Sequence, residues 1–138
     1  MTADVSKALR DKILSYTDVA ALVGQRMYFD VLVQNATLPA IAYYKVSTVR
    51  EHTISNVTDL AHSRFQFDCY ATTAERANDI VHAIRKSGIC SFRGTVKDIY
   101  FCGAEFENDL NGFDSPTDGS QEYRYISTFD LVVHYQEA

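Results

Sequence analysis

The segment Arg64 to Gly88 changes its hydrophobic period midway, and this limits the possible folds more than any other feature of the chain. From Arg64 to Ala71 the residues alternate. Phe65, Phe67, Cys69 and Ala71 face one way, and Arg64, Gln66, Asp68 and Tyr70 face the other. A period of two marks a half-buried strand. At Thr72 the period lengthens. Thr72 and Glu75 have the spacing of a capping box, with the hydroxyl on an early helical N–H and the carboxylate reaching back. Ala74, Ala77, Ile80, Val81 and Ile84 then recur at helical spacing. Lys86 suits the negative pole of the helix dipole, and Gly88 suits a left-handed stop. A strand that runs straight into an amphipathic helix requires a layered α+β fold, in which helices cover one face of a sheet.

The rest of the chain fits that scheme. A first helix is predicted from Asp4, with Val5, Ala8, Leu9, Lys12, Ile13 and Tyr16 on one face. Thr17 has the chemistry of an N-cap for a short helix, Asp18 to Val23, stopped by Gly24. Short strand character covers Arg26 to Val31. A long strand runs from Ala40 to about Val49, entered through Leu38-Pro39. Its two faces are Ala40, Ala42, Tyr44 and Val46 against Ile41, Tyr43, Lys45 and Ser47. The polar stretch Arg50 to Ala61 is expected to be an extended hairpin tip leading to Arg64. A strand from Val96 to Phe106, with Tyr100, Cys102, Ala104 and Phe106 on one face, is followed by a loop from Asn108 to Ser120. Glu122 to Tyr135 is the last strand, with Tyr123, Tyr125, Ser127, Phe129, Leu131 and Val133 alternating against Arg124, Ile126, Thr128, Asp130 and Val132. The fold expected is a mainly antiparallel sheet with two main helices on one face and long hairpin loops, forming a single domain over residues 1–138. Phe65, Phe67, Cys69, Ile80, Val81 and Ile84 should form its core with Val5, Leu9 and Ile13.

The charge excludes some partners. A net charge of −5 over 138 residues makes the chain a poor general binder of nucleic acid, because neutralising phosphates needs a basic patch. Cys69, Cys90 and Cys102 are odd in number and form no CxxC pair, so buried reduced thiols of an intracellular protein are expected. The opening MTADVSKALRDK lacks the apolar run of a secretory leader, and no apolar stretch has membrane-span length. Asn35-Ala-Thr37 and Asn56-Val-Thr58 match glycosylation sequons and are taken as chance.

Searches for chemistry return little. His52, His62, His82 and His134 have no HxxxH or HExxH spacing, so no metal is assigned. There is no nucleophile elbow, no Walker A sequence and no GxGxxG. No cofactor and no catalytic residue is expected. The one electrostatic anomaly is the run of Glu105, Glu107, Asp109, Asp114, Asp118 and Glu122, with no Lys, Arg or His between Gly103 and Glu122. An EF-hand alignment from Asp114 puts Pro116 at a ligand position and Tyr125 where a bidentate Glu belongs, so it fails. A solvated acidic hairpin tip, adventitious cation binding, and a contact or lumen surface in an assembly all remain open.

The order of several short segments resembles a phage family. Ala21-Leu22-Val23-Gly24, Arg26, Tyr28, Leu38-Pro39, Asp68-Cys69-Tyr70-Ala71-Thr72 and Ala77 to Ile80 appear in the order and spacing of the tail-completion, or tail-terminator, proteins of long-tailed phages and prophages. The resemblance runs from about Ala8 to Ser87. Met27 and Cys69, where aliphatic residues are usual, and the acidic loop near Asp114 depart from the common form. It implies a non-enzymatic virion protein at the head–tail interface, assembled in the host cytoplasm. Such proteins form a ring, typically a hexamer, on the head-proximal end of the tail tube, and contact the tube protein and the head connector. DNA passes through the channel without sequence-specific binding, and no membrane is involved. The hairpin tips supply the interface candidates: Arg50, Glu51, His52, Asp59 and His62 on one, and Asp109, Asp114 and Asp118 on the other. Another head–tail joining or minor tail protein, or a small α+β enzyme or ligand-binding domain, are the competing readings.

Overall fold

The structure, a computed structural model, describes residues 4–30, 37–52, 57–114 and 124–137; for 51–52, 57–59, 113–114 and 137 it describes the backbone alone. The helices are α1 (Val5–Leu14), α2 (Thr17–Val23) and α3 (Ala74–Lys86). The strands are β1 (Met27–Phe29), β2 (Ala40–His52), β3 (Val57–Ala71), β4 (Gly94–Val96), β5 (Ile99–Asp114) and β6 (Arg124–Glu137). They form one sheet in the order β1-β2-β3-β6-β5-β4. Every pairing is antiparallel except β1 with β2, which is parallel.

The alternation read in Arg64–Ala71 holds. Phe65, Phe67, Cys69 and Ala71 are fully buried beneath the helices, together with Ile80, Ile84, Leu9 and Ile13. Val5 and Val81 join them. Cross-strand rows explain the core. Tyr43 stacks on Phe67 at 5.5 Å between ring centroids, Phe67 on Phe129 at 4.9 Å, and Phe129 on Phe106 at 4.5 Å. A continuous aromatic layer thus crosses β2, β3, β6 and β5, where large flat side chains bury much area at low entropic cost.

Polar groups in this core are paired. The Tyr43 hydroxyl donates to the Ser6 carbonyl at 2.8 Å, tying β2 to α1. Ser63, fully buried, links Thr48 at 2.8 Å and Tyr135 at 2.9 Å. The Ser127 hydroxyl lies 2.7 Å from Asn78 Oδ1 and 2.9 Å from Asn111 Oδ1, which joins α3 to the β5–β6 hairpin.

Local expectations change in several places. The α3 N-cap is Thr73, not Thr72, and its hydroxyl accepts from the Arg76 N–H at 3.2 Å. Ala71 still pairs with Tyr125, so the strand runs on and the helix starts one residue later. Thr17 lies inside α2. The cap position is Tyr16, which makes no side-chain cap bond. The supposed polar tip from Arg50 to Ala61 is mostly strand, because β2 continues to His52 and β3 begins at Val57. Likewise, β5 continues through Asp114, so half of the supposed acidic loop is strand. The expected Val96–Phe106 strand is two elements. Lys97 and Asp98, with φ of 46° and 68°, make a tight turn between β4 and β5. That left-handed pair matches the twist of a two-residue hairpin. A bulge at Cys102 then splits the face assigned to Tyr100, Cys102, Ala104 and Phe106. Tyr100 points to solvent, whereas Ala104 and Phe106 pack on the core. Of the cysteines, only Cys69 is buried; Cys90 and Cys102 are partly exposed.

Three substitutions test this core and cap. Phe67→Ala removes a fully buried ring from the middle of the aromatic layer, and should cost about 3–5 kcal/mol in chemical denaturation. An unmoved unfolding midpoint would contradict the register. Thr73→Ala should cost about 1 kcal/mol, while Thr72→Ala should stay within about 0.5 kcal/mol. The reverse ranking would restore Thr72 as the cap.

Candidate interface surfaces

The first interface feature is the sheet face without helices. Residues paired across strands share a face. Tyr44, Gln66, Asp130 and Glu107 form one outward row, and Ala42, Asp68, Thr128 and Leu110 another. A polar network covers its centre. Asp68 accepts from the Tyr44 hydroxyl at 3.0 Å and from Thr128 at 2.8 Å. Arg64 clamps Asp130 at 2.9 Å and Glu107 at 3.0 Å. Partial burial and the adjacent Asp68 charge push the Tyr44 hydroxyl up to about 12. Apolar side chains flank this centre: Leu110, Val49, Tyr100 and Leu60 on the outward rows, and Val46 at a β2 bulge, are 39–62% exposed. Apolar groups around paired polar ones are the composition of a contact surface.

The second feature is a difference between the two ends of the sheet. Arg50 and His62, on adjacent rows of β2 and β3, lie at the end where the β2–β3 hairpin projects. His62 faces His134 across β3–β6 with ring centroids 5.2 Å apart, and His134 Nε2 is 3.4 Å from Glu105 Oε1. The backbones of Glu51, His52 and Asp59 belong to the same hairpin; their side chains lie outside the described residues. Asp109 and Asp114 lie toward the opposite end of β5. Asp109 is exposed in a bulge between Glu107 and Leu110, and Asp114 pairs with Arg124 through the backbone. Asp118 and Glu122 lie outside the described residues. From the Leu60 row to the Ala71 row the ends are about 36 Å apart, at a rise of about 3.3 Å per residue. The structure therefore groups the candidates by hairpin and keeps the two groups apart.

The acidic run is less isolated than its sequence suggests. Arg64 from β3 neutralises Glu107, and His134 from β6 stands beside Glu105. A groove of about 520 Å³ near Asp109 is lined by Asn78, Asp79, His82, Arg85 and Asn111. Among the described residues, no cluster of His, Cys, Asp and Glu is arranged to hold a metal.

A second cavity, about 530 Å³, opens between α1 and β1, with Met27, Phe29 and Tyr43 as apolar walls. Two of the basic groups on its wall, Arg10 and Lys97, serve the fold. Arg10 donates to the Met27 and Gln25 carbonyls, both at 2.9 Å, and Lys97 pairs with Asp11 at 3.1 Å. Arg26 likewise donates to the Pro39 carbonyl at 2.8 Å, fastening β1 to the entry of β2. Sequence reasoning gave neither Arg10 nor Arg26 this role, since nothing local in sequence marks a guanidinium aimed at backbone carbonyls. No described helix is long and apolar enough to cross a membrane.

The chain matches the family described as Tail completion protein gp17 over residues 7–87, more than half its length, and it belongs to that family of phage tail structural proteins. No curated protein matches it. Its fold is similar to that of a chain in the virion of a native gene transfer agent particle, with a TM-score of 0.52 and 15% identity, over 94% of this chain and 97% of that one. At that identity the likeness is one of fold. The resemblance noted between Ala8 and Ser87 coincides with the matched region.

Alkaline titration tests the tyrosine environments. Burial raises the Tyr43 hydroxyl well above its ordinary value of 10.0, and Tyr44 is raised to about 12. A group whose folded value lies above its unfolded one stabilises the fold fully below the unfolded value. That stability is lost as pH rises through the folded value. Stability should therefore be flat up to about pH 10 and fall steeply from there to about pH 12. Tyr44→Phe should flatten part of that fall, as measured by urea midpoints across the range.

Proposed function

We propose that this protein is a tail terminator: a non-enzymatic structural protein that caps the head-proximal end of the tail tube and joins it to the head connector, as a hexameric ring. The observation that carries the reading is the placing of two chemically different hairpin ends on one sheet, about 36 Å apart. A joining protein needs two such surfaces at once, one for the tube and one for the connector. The β2–β3 hairpin presents Arg50 and His62 with the backbones of Glu51, His52 and Asp59; on the other hairpin the backbone of Asp114 lies past the Ala71 row, and the exposed Asp109 sits in a bulge beside the Phe67 row, about 16 Å along the strands from His62. Membership of the tail-completion family supplies the phage tail context. The helix-free face, with its exposed Val46, Val49 and Leu60, supplies apolar area for neighbours. Rings use heterologous contacts, in which one patch meets a different patch on the next copy. The excess of carboxylates suits either a lumen that DNA must pass without sticking or a salt-sensitive contact with a basic connector. Localisation at the head–tail junction, after assembly in the host cytoplasm, follows from this reading.

Imaging of particles tests it directly. A ring of six copies is expected at the head-proximal tube end, and a single copy, or none there, would overturn the proposal. Replacing Asp109, Asp114 and Asp118 together with Asn should leave the unfolding midpoint unchanged and impair head–tail joining or DNA passage. Fully normal infectious particles would remove the acidic hairpin from the function.

A further inference from the structure

His62 and His134 are far apart in the chain, and no spacing in the sequence links them. The β3–β6 ladder sets them directly opposite each other, on the face without helices. Their ring centroids are 5.2 Å apart, with the planes tilted by 41°. Directly opposed side chains are the closest neighbours across two strands. Two imidazoles so placed have a chemistry of their own, because neutral imidazole is a common ligand of divalent transition metals. An ion held at about 2.0–2.1 Å from a ring nitrogen lies about 3.2 Å from the ring centroid. Two rings bound to one ion at the tetrahedral angle then have centroids about 5 Å apart. The observed separation matches that value.

The surroundings favour a cation at this place. Glu105 Oε1 stands 3.4 Å from His134 Nε2. A carboxylate at one ring nitrogen favours the proton there, which leaves the lone pair of Nδ1 for a metal and raises its basicity. The nearby basic side chains are committed elsewhere or face away. Arg64, on the next row of β3, is turned to Asp130 and Glu107. Arg93, which packs against Gly103, donates to the Cys102 carbonyl. Arg50 pairs with Ala61 and so belongs to the opposite face, while the β2 residue beside His62 is the apolar Val49.

We infer that His62 and His134 chelate a divalent transition-metal ion, with Glu105 as the carboxylate that orients His134. Among the described residues no cluster of three or more ligands is present. The site therefore has two protein ligands, and its remaining positions are left to water. The ion would clamp β3 to β6 at the end where the β2–β3 hairpin projects. This does not depend on the ring reading. The two rings meet only in the folded chain, so the ion stabilises the fold by mass action. The test uses the untagged full chain with Cys90→Ser and Cys102→Ser, which removes the partly exposed thiols as ligands. Ni2+ should raise the unfolding midpoint progressively with its concentration and bind as one ion per chain in calorimetry. Mg2+, which prefers oxygen ligands, should leave the midpoint unmoved. His62→Ala and His134→Ala should each abolish the Ni2+ shift, with the metal-free midpoint little changed, and Glu105→Gln should weaken binding about tenfold. A Ni2+ shift that survives either alanine variant, or no shift in the parent chain, would overturn the inference. If an alanine variant loses the fold, paramagnetic broadening by Ni2+ in the parent chain decides. The imidazole resonances of His62 and His134 should broaden together, and broadening at His82 alone would sink the site.

Discussion

The pairing of β3 with β6 is the constraint on which the rest of the structure depends. Twelve consecutive residue pairs, from Leu60 with Gln136 to Ala71 with Tyr125, join two hairpins that are far apart in sequence. Without that ladder, β2–β3 and β5–β6 would be separate ribbons, each with an apolar side and no partner, and isolated hairpins are marginal in water. With it, Tyr43, Phe67, Phe129 and Phe106 align into one aromatic layer that α1 and α3 can cover. The ladder also brings Arg64 to Asp130 and Glu107, and His62 to His134. Such non-local pairing closes a long loop before it yields contacts, so it is a slow and demanding element of the fold.

The same arrangement divides the molecule into unlike surfaces. One face of the sheet is committed to the helices. The other is polar at its centre, where Arg64 and Asp68 make their contacts, and is apolar around that centre. Bulges at Val46, Cys102 and Asn108–Asp109 adjust the strands without breaking the ladder. A bulge bends its strand and redirects side chains, which is how Tyr100 leaves the core face while Phe106 stays on it.

The residues that carry the family pattern serve structure. Gly24 turns the chain out of α2 at a φ of 60°, Arg26 ties β1 to Pro39, and Asp68 gathers the hydroxyls of Tyr44 and Thr128. None needs a ligand to explain it. Such fold-determining spacing can mark a family without marking a catalytic site. The matched region ends at Ser87, before β4, β5 and β6. The part of the chain that completes the core and carries the acidic hairpin therefore lies outside the family pattern.

Much of the fold was legible in the sequence. The nine residues assigned to the core, from Val5 to Ile84, are all buried, and α1, α3 and the heart of β3 lie where their periods place them. Those features depend on neighbours within four positions, and periods of 2 and 3.6 are imposed by backbone geometry itself. The candidate site was legible only as hairpin tips. Its division between two hairpins and the counter-charges from Arg64 and His134 were not. The polar stretches Arg50–Ala61 and Asn108–Asp114 looked like loops because composition marks exposure, and an edge strand with both faces wet has the same composition as a loop. Which strand lies beside which was decided by tertiary structure alone. An alternating strand shows which side is apolar and says nothing of its neighbour, and the partners of β3 in β6 lie more than fifty residues along the chain.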